Sequence, residues 1–138
     1  VCYNSTQTKP KTNQQRKNEM TDQAQLEQVE REIEISIEAA KSMVEKKDMM
    51  ENLISDKKFK ELFTVGYLES EPARLTSLLA DPDWQDEDKQ KSIFEDLRAV
   101  SSFRQYILGI RAMGRQMQRQ IENSEAELES LRTEAEGE

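Results

Sequence analysis

Apolar residues recur along this chain at three- and four-residue steps. From Phe103 the series runs Ile107, Ile110, Gly114, Met117, Ile121, Ser124, Leu128, Leu131 and Ala135, a four-three alternation without a slip. Such spacing puts every member on one stripe of a helix, and sustained over several heptads it is the mark of a coiled-coil seam. Gly114, Ser124 and Ala135 are its weak members. A glycine inside a helix costs about 1 kcal/mol relative to alanine, so Gly114 predicts close approach of a neighbouring helix. A second stripe lies upstream: Leu26, Val29, Ile33, Ile37, Ala40, Met43 and Val44, widened by Ile35 and continuing through Met49, Met50, Leu53 and Ile54. Neither glycine nor proline interrupts it, and Thr21 or Asp22 can cap its first N–H groups. The pattern predicts one long helix over 20–54 and another over 101–136.

Between them the periodicity breaks into short pieces. Ser55 or Asp56 can cap a turn carrying Phe59, Leu62 and Phe63, with Gly66 as a stop. Ser70 and Pro72 open a helix bearing Leu75, Leu78 and Leu79, which Asp81-Pro82 ends. Another helix, after "DWQDEDKQ", carries Ile93, Phe94, Leu97 and Val100. Residues 55–100 therefore predict a small helical head. Residues 1–19 share none of this periodicity. They are rich in Asn, Gln, Thr and Lys and read as a disordered basic tail. Met20 opens "MTDQAQLEQ" as an ordinary start would, so residues 1–19 also read as non-native upstream sequence. The expected fold class is all-α: an antiparallel, coiled-coil-like helical hairpin with a small helical head between the two long helices.

Charge changes the picture. The chain has 28 acids against 20 Lys and Arg, a net charge of -8, yet "RAVSSFRQYILGIRAMGRQMQRQI" holds Arg98, Arg104, Arg111, Arg115 and Arg119 and no acid. If the long helices turn around near residues 50 and 101, equal helical rise sets Gly114 opposite Ser36, Ile37 and Ala40, Ile33 near Met117, and Val29 near Ile121. The interhelix seam is then Leu26, Val29, Ile33, Ile37 and Ala40 against Ile107, Ile110, Gly114, Met117 and Ile121. Glu30, Glu32, Glu34 and Glu38 fall beside Arg111, Arg115 and Arg119. Such flanking pairs set orientation more than stability, each exposed one contributing roughly 0–1 kcal/mol. The rival use of the arginines is a phosphate-binding stripe. No aromatics interleave with them and the overall charge repels a polyanion, so nucleic acid is not the expected partner.

Little here supports chemistry. There is no histidine, and Cys2 is the one cysteine, which removes the commonest general base, the commonest metal ligand and any intrachain disulfide. Asp81, Asp83, Asp86, Glu87 and Asp88 crowd together, but an EF-hand loop from Asp81 needs a glycine at its sixth place and a glutamate at its twelfth. Asp86 and Ser92 stand there. The acids suit a helix N-terminus instead. Ser101-Ser102 has no histidine to serve it, and no phosphate loop is present. No catalytic site, cofactor or metal is expected. Trp84, the only tryptophan, either folds back on the head or makes a partner contact, since tryptophan is enriched in interface hot spots. No run of about 18 apolar residues occurs, so no membrane span is expected.

The run "FKELFTVGYLESEPARLTSLLADPDWQDEDKQKSIFEDLRAVSSFRQYI" resembles the central part of small acidic helical proteins encoded by tailed bacteriophages. The pieces that carry the resemblance are Gly66-Tyr67-Leu68, Ala73-Arg74-Leu75 and Leu78 to Pro82. It extends over roughly Ala24 to Ala135. The resemblance implies a place among particle-assembly genes, near portal and capsid functions, with no catalytic residue to carry over. The expected function is a non-enzymatic assembly or structural protein of a phage particle, a head, portal or scaffold accessory. It would work in the virion or the host cytoplasm through capsid, portal or tail proteins, or by self-association. An acidic inhibitor of a host enzyme and a small DNA-packaging subunit of the terminase type are the alternatives.

Overall fold

A computed structural model describes residues 9–137. The chain forms α1 (Asn13–Ser55), α2 (Lys57–Phe59) running into a π-helical turn (Lys60–Val65), α3 (Ser70–Leu79), a 3-10 turn (Pro82–Trp84) and α4 (Glu87–Glu136). Helices α1 and α4 lie antiparallel along most of their length, and α3 packs on the beginning of α4. Among the described residues there is no strand. The all-α hairpin with a small helical segment between two long helices is the architecture that the stripe pattern predicts.

Three boundaries differ from the sequence expectation. Helix α1 begins at Asn13, so residues 13–19 of the expected disordered tail are helical, and residues 1–8 lie outside the described residues. A capping box starts it. The Gln15 N–H donates to Thr12 Oγ1 at 3.3 Å, and the Thr12 N–H donates to Gln15 Oε1 at 2.9 Å. Two otherwise free donors are satisfied at once. Residues Asn13 to Gln25 are all exposed. They need no apolar stripe, because adding turns to an existing helix costs far less than nucleating one, and Gln, Arg, Lys, Glu and Met are good helix formers.

Helix α4 begins at Glu87, well before residue 101, and so absorbs the last part of the expected head. Its inward positions run Ile93, Leu97, Val100, Phe103 and Ile107. Two successive three-residue steps, at Val100 and Phe103, interrupt the four-three alternation. Such an insertion rotates the buried stripe around the helix. This is where α4 passes from the cover of α3 to that of α1. Leu75 on α3 and Ile93 on α4 are fully buried at the α3 end. At the crossover, buried Leu68, Val100 and Ile107 gather Met50, Ile54, Tyr67 and Phe103 around them.

The π turn is the third departure. Asp56 Oδ1 accepts from the Phe59 N–H at 3.0 Å and starts α2. The backbone then widens: Gly66 N–H donates to the Glu61 carbonyl at 3.1 Å, and Leu68 N–H to the Phe63 carbonyl at 2.8 Å. The extra residue in the turn re-aims its side chains. Leu62 and Phe63, which a regular helix would set on one face with Phe59, are 66% and 43% exposed. Gly66 is required here by space rather than by its torsion angles. A Cβ on it would lie 2.6 Å from the Leu62 carbonyl oxygen and 2.8 Å from that of Glu61.

Candidate functional site

The hairpin seam is locked at one place. Gly114 is buried against Lys47, and a Cβ added at Gly114 would come within 3.0 Å of Lys47 Cβ and Cγ. Lys47 is only 9% exposed. Its aliphatic stem lies across the glycine, while its ammonium reaches the edge, donating to Gln118 Oε1 at 2.9 Å with Asp48 Oδ1 at 3.4 Å. A lysine buries its stem readily when its head stays wet. One charged residue in a seam specifies register at a cost in stability. A slip of one heptad would set the Lys47 stem against Ile107 or Ile121, where no glycine makes room.

The register that follows corrects the expected one. Gly114 does approach a neighbouring helix, but the neighbour is Lys47 and not Ser36, Ile37 or Ala40, a displacement of about two to three turns. Ser36 lies instead beside Gln120, whose Nε2 donates to Ser36 Oγ at 3.3 Å. The cause is the turn-around. Helix α1 runs on through Ile54 before folding back, and α3 occupies α4 up to the neighbourhood of Val100. Pairing of α1 with α4 therefore starts later along both helices than residues 50 and 101. Of the expected seam, Leu26, Ile33, Ile37, Ala40, Ile107, Ile110, Gly114, Met117 and Ile121 are buried or half-buried. Val29 is 40% exposed, and Glu30 stands half-buried in its place.

The expected charge pairing fails with the register. Glu34 reaches Arg132 at 3.2 Å, and Glu38 pairs with Lys41 of its own helix at 3.4 Å. None of the described ion pairs joins Glu30, Glu34 or Glu38 to Arg111, Arg115 or Arg119. Arg104 instead donates to the Leu68 carbonyl and ties the end of the π turn to α4. The Arg111 Nε is buried without a hydrogen-bond partner.

Two edges flank the seam, and they differ in chemistry. One carries Glu34, Lys41, Arg104, Arg111 and Arg132. The other carries Ser36, Met43 and Met50 from α1 and Tyr106, Met113 and Gln120 from α4, without a charge among them. On this second edge Lys46, Met49, Met50, Leu53, Tyr106 and Ile110 line an apolar recess of about 280 Å³. Tyr106 and Met49 are each 63% exposed there.

A third surface lies at the head. The Phe59 and Phe63 rings are 5.1 Å apart, Phe63 and Phe103 6.4 Å, and Tyr67 meets Phe103 edge-on at 5.9 Å. Phe63, Tyr67 and Phe103 line a shallow apolar recess of about 230 Å³, and Leu62 and Val65 are exposed on the same π turn. Trp84, read from the sequence either as folding back on the head or as a partner contact, is half-buried. The Lys89 ammonium sits 5.4 Å from its ring centre, a cation–π contact. Its carbonyl accepts from Gln90 Nε2 at 2.6 Å. The π-turn side chains Leu62, Phe63 and Val65 are an exposed apolar surface that sequence reading missed. A helical wheel assumes 3.6 residues per turn, and this segment does not follow it.

The remaining chemistry is sparse. Another recess, about 480 Å³, opens between the helix ends and is lined by Lys11, Glu19, Asp22, Gln23, Leu26 and Ala135. Among the described residues no three His, Cys, Asp or Glu side chains gather as a metal site would need. Nor is any described helix long and apolar enough to cross a membrane. The Arg74 guanidinium, hydrogen-bonded to Glu71, holds that carboxyl below the usual carboxylate range at the surface of α3. Comparison with protein-family models, with curated proteins and with solved structures finds no match.

Proposed function

We infer that this chain is a non-enzymatic helical assembly protein of a tailed-phage particle, docking through the π turn of its head onto a capsid, portal or tail protein in the virion or the host cytoplasm. The observation that carries the reading is the exposed apolar group on that turn: Leu62, Phe63 and Val65 beside the recess of Phe63, Tyr67 and Phe103. Leu62, Phe63 and Val65 are outside the chain's own buried core. Aromatic anchors of this kind dominate the binding energy of interfaces, and π turns occur often at functional sites. The same turn lies inside the run Phe59–Ile107 that resembles the small helical phage proteins.

A pull-down from infected or producing cells tests it, using the wild-type chain beside Phe63→Glu. A capsid, portal or tail protein retained by the wild type and lost by the variant is the expected outcome. Capture of a host enzyme would replace the reading with that of an inhibitor. Capture of a large packaging subunit with DNA would replace it with a packaging role. Equal capture by wild type and variant would remove the head from the interface.

A further inference from the structure

We propose that a second copy of this chain docks antiparallel on the Tyr106–Met113 edge of the hairpin, α4 against α4, with the two helices crossing at Gly109. The argument begins with the glycine. Gly66 and Gly114 are each required by atoms of their own chain, but a Cβ at Gly109 would meet nothing within 4 Å. Glycine is the weakest helix former except proline, and within this chain nothing calls for it in the middle of α4. A second helix passing close to the backbone at that point does.

The residues around Gly109 form a palindrome suited to such a crossing. Reading outward along the edge, Tyr106 and Met113 stand on either side of it, then Ser102 and Gln116. Antiparallel pairing sets Tyr106 of one copy against Met113 of the other, and Ser102 against Gln116. Apolar meets apolar next to the axis, and polar uncharged residues meet at the rim. None of these positions is charged, in a chain of which 35% is. Tyr106 and Met113 are 63% and 42% exposed. The largely apolar recess of Met49, Met50, Leu53, Tyr106 and Ile110, with Lys46 at its rim, opens on the same edge. Met50 and Ile110 also belong to the intrachain seam, so the contact would continue an apolar layer that already exists.

Charge selects the direction. The far end of α4 carries Glu122, Glu125, Glu127, Glu129, Glu134 and Glu136. Parallel pairing would stack these segments side by side, whereas antiparallel pairing sends them to opposite ends of the dimer. Of the arginines in the acid-free stretch from Arg98 to Arg119, Arg104 and Arg111 lie on the other edge, away from the contact.

Cysteine cross-linking tests the proposal in a Cys2→Ser background. Gly109→Cys places two thiols at the two-fold axis, within the Cα separation that a disulfide tolerates. Mild oxidation should give a covalent dimer at least about tenfold faster than the same treatment of Leu108→Cys, an exposed neighbour on the other edge. By sedimentation the wild-type chain should be a dimer and Met113→Glu a monomer, both equally helical by circular dichroism. Phe63→Glu, at the head, should remain a dimer, which separates this contact from the function proposed above. A monomeric wild type at tens of micromolar, a dimer that survives Met113→Glu, or equal cross-linking at positions 108 and 109 would each overturn it.

Discussion

The pair Lys47–Gly114 shows how residue-level effects decide the seam. Alanine at position 114 would improve helix propensity by about 1 kcal/mol. Its methyl, however, would come within 3.0 Å of Lys47 Cβ, the stiff root of that side chain, and overpacking costs about 1–3 kcal/mol. The cost should win. Denaturant melts should show Gly114→Ala less stable than wild type, and Gly114→Leu less stable again. In a Lys47→Gly background the penalty of Gly114→Ala should shrink by more than about 0.5 kcal/mol, the coupling expected of residues in contact. Additive effects would mean that the two do not touch. Charge reversal gives a second expectation. Replacing Glu30, Glu34 and Glu38 by Lys should not rescue a chain carrying Arg111, Arg115 and Arg119 as Glu, whereas Glu34→Lys with Arg132→Glu should recover up to about 1 kcal/mol. Thermal melts of these variants beside their single-sided counterparts check this, and rescue of the triple reversal would restore the discarded register. At this scale the apolar seam was legible from spacing alone. Val29 was misplaced because apolarity was weighed above the strict four-three count that selects Glu30. Lys47 was overlooked because its charge concealed an apolar stem.

The elements divide in the same way. Breaks at Gly66 and at Asp81-Pro82 were legible because glycine and proline act locally on the backbone. The continuity of α4 from Glu87 was not. A helix whose buried stripe rotates at Val100 and Phe103 reads in sequence as two helices, and the partners that impose the rotation, α3 and α1, are remote in the chain. The π turn was hidden for a similar reason, since its hydrogen-bond step leaves no periodic signal over six residues. It should depend on Gly66. Alanine there must push against two carbonyl oxygens of the preceding turn, so Gly66→Ala should destabilise by about 1–3 kcal/mol and weaken the near-ultraviolet circular dichroism of the Phe63–Tyr67–Phe103 group. An unchanged melt and spectrum would show that the turn has room. At the other end of the molecule, deleting residues 1–19 removes the Thr12–Gln15 capping box and part of a fully exposed helical stretch. The far-ultraviolet signal should fall by that stretch while the melting temperature holds. A large drop in melting temperature would place the tail in the core of the fold.

For the whole molecule, hairpin direction and helical class could be read from sequence, but register could not. Two stripes of similar period fit one another at several offsets, and the arginines offered a plausible but mistaken way to choose. The offset is set by the length of chain consumed in the head and by one lysine lying over one glycine. Everything assigned to the two edges depends on it, including which α1 residues flank Tyr106 and Met113. The most direct test is to measure that offset. In a Cys2→Ser background, Ser36→Cys with Gln120→Cys should be joined within one chain by a short dithiol-bridging reagent, because these residues hydrogen-bond across the seam at 3.3 Å. Ser36→Cys with Met113→Cys, on the same edge but about 10 Å further along α4, should not be joined. Bridging of Ser36 to position 113 in preference to position 120 would contradict the register and the edges derived from it.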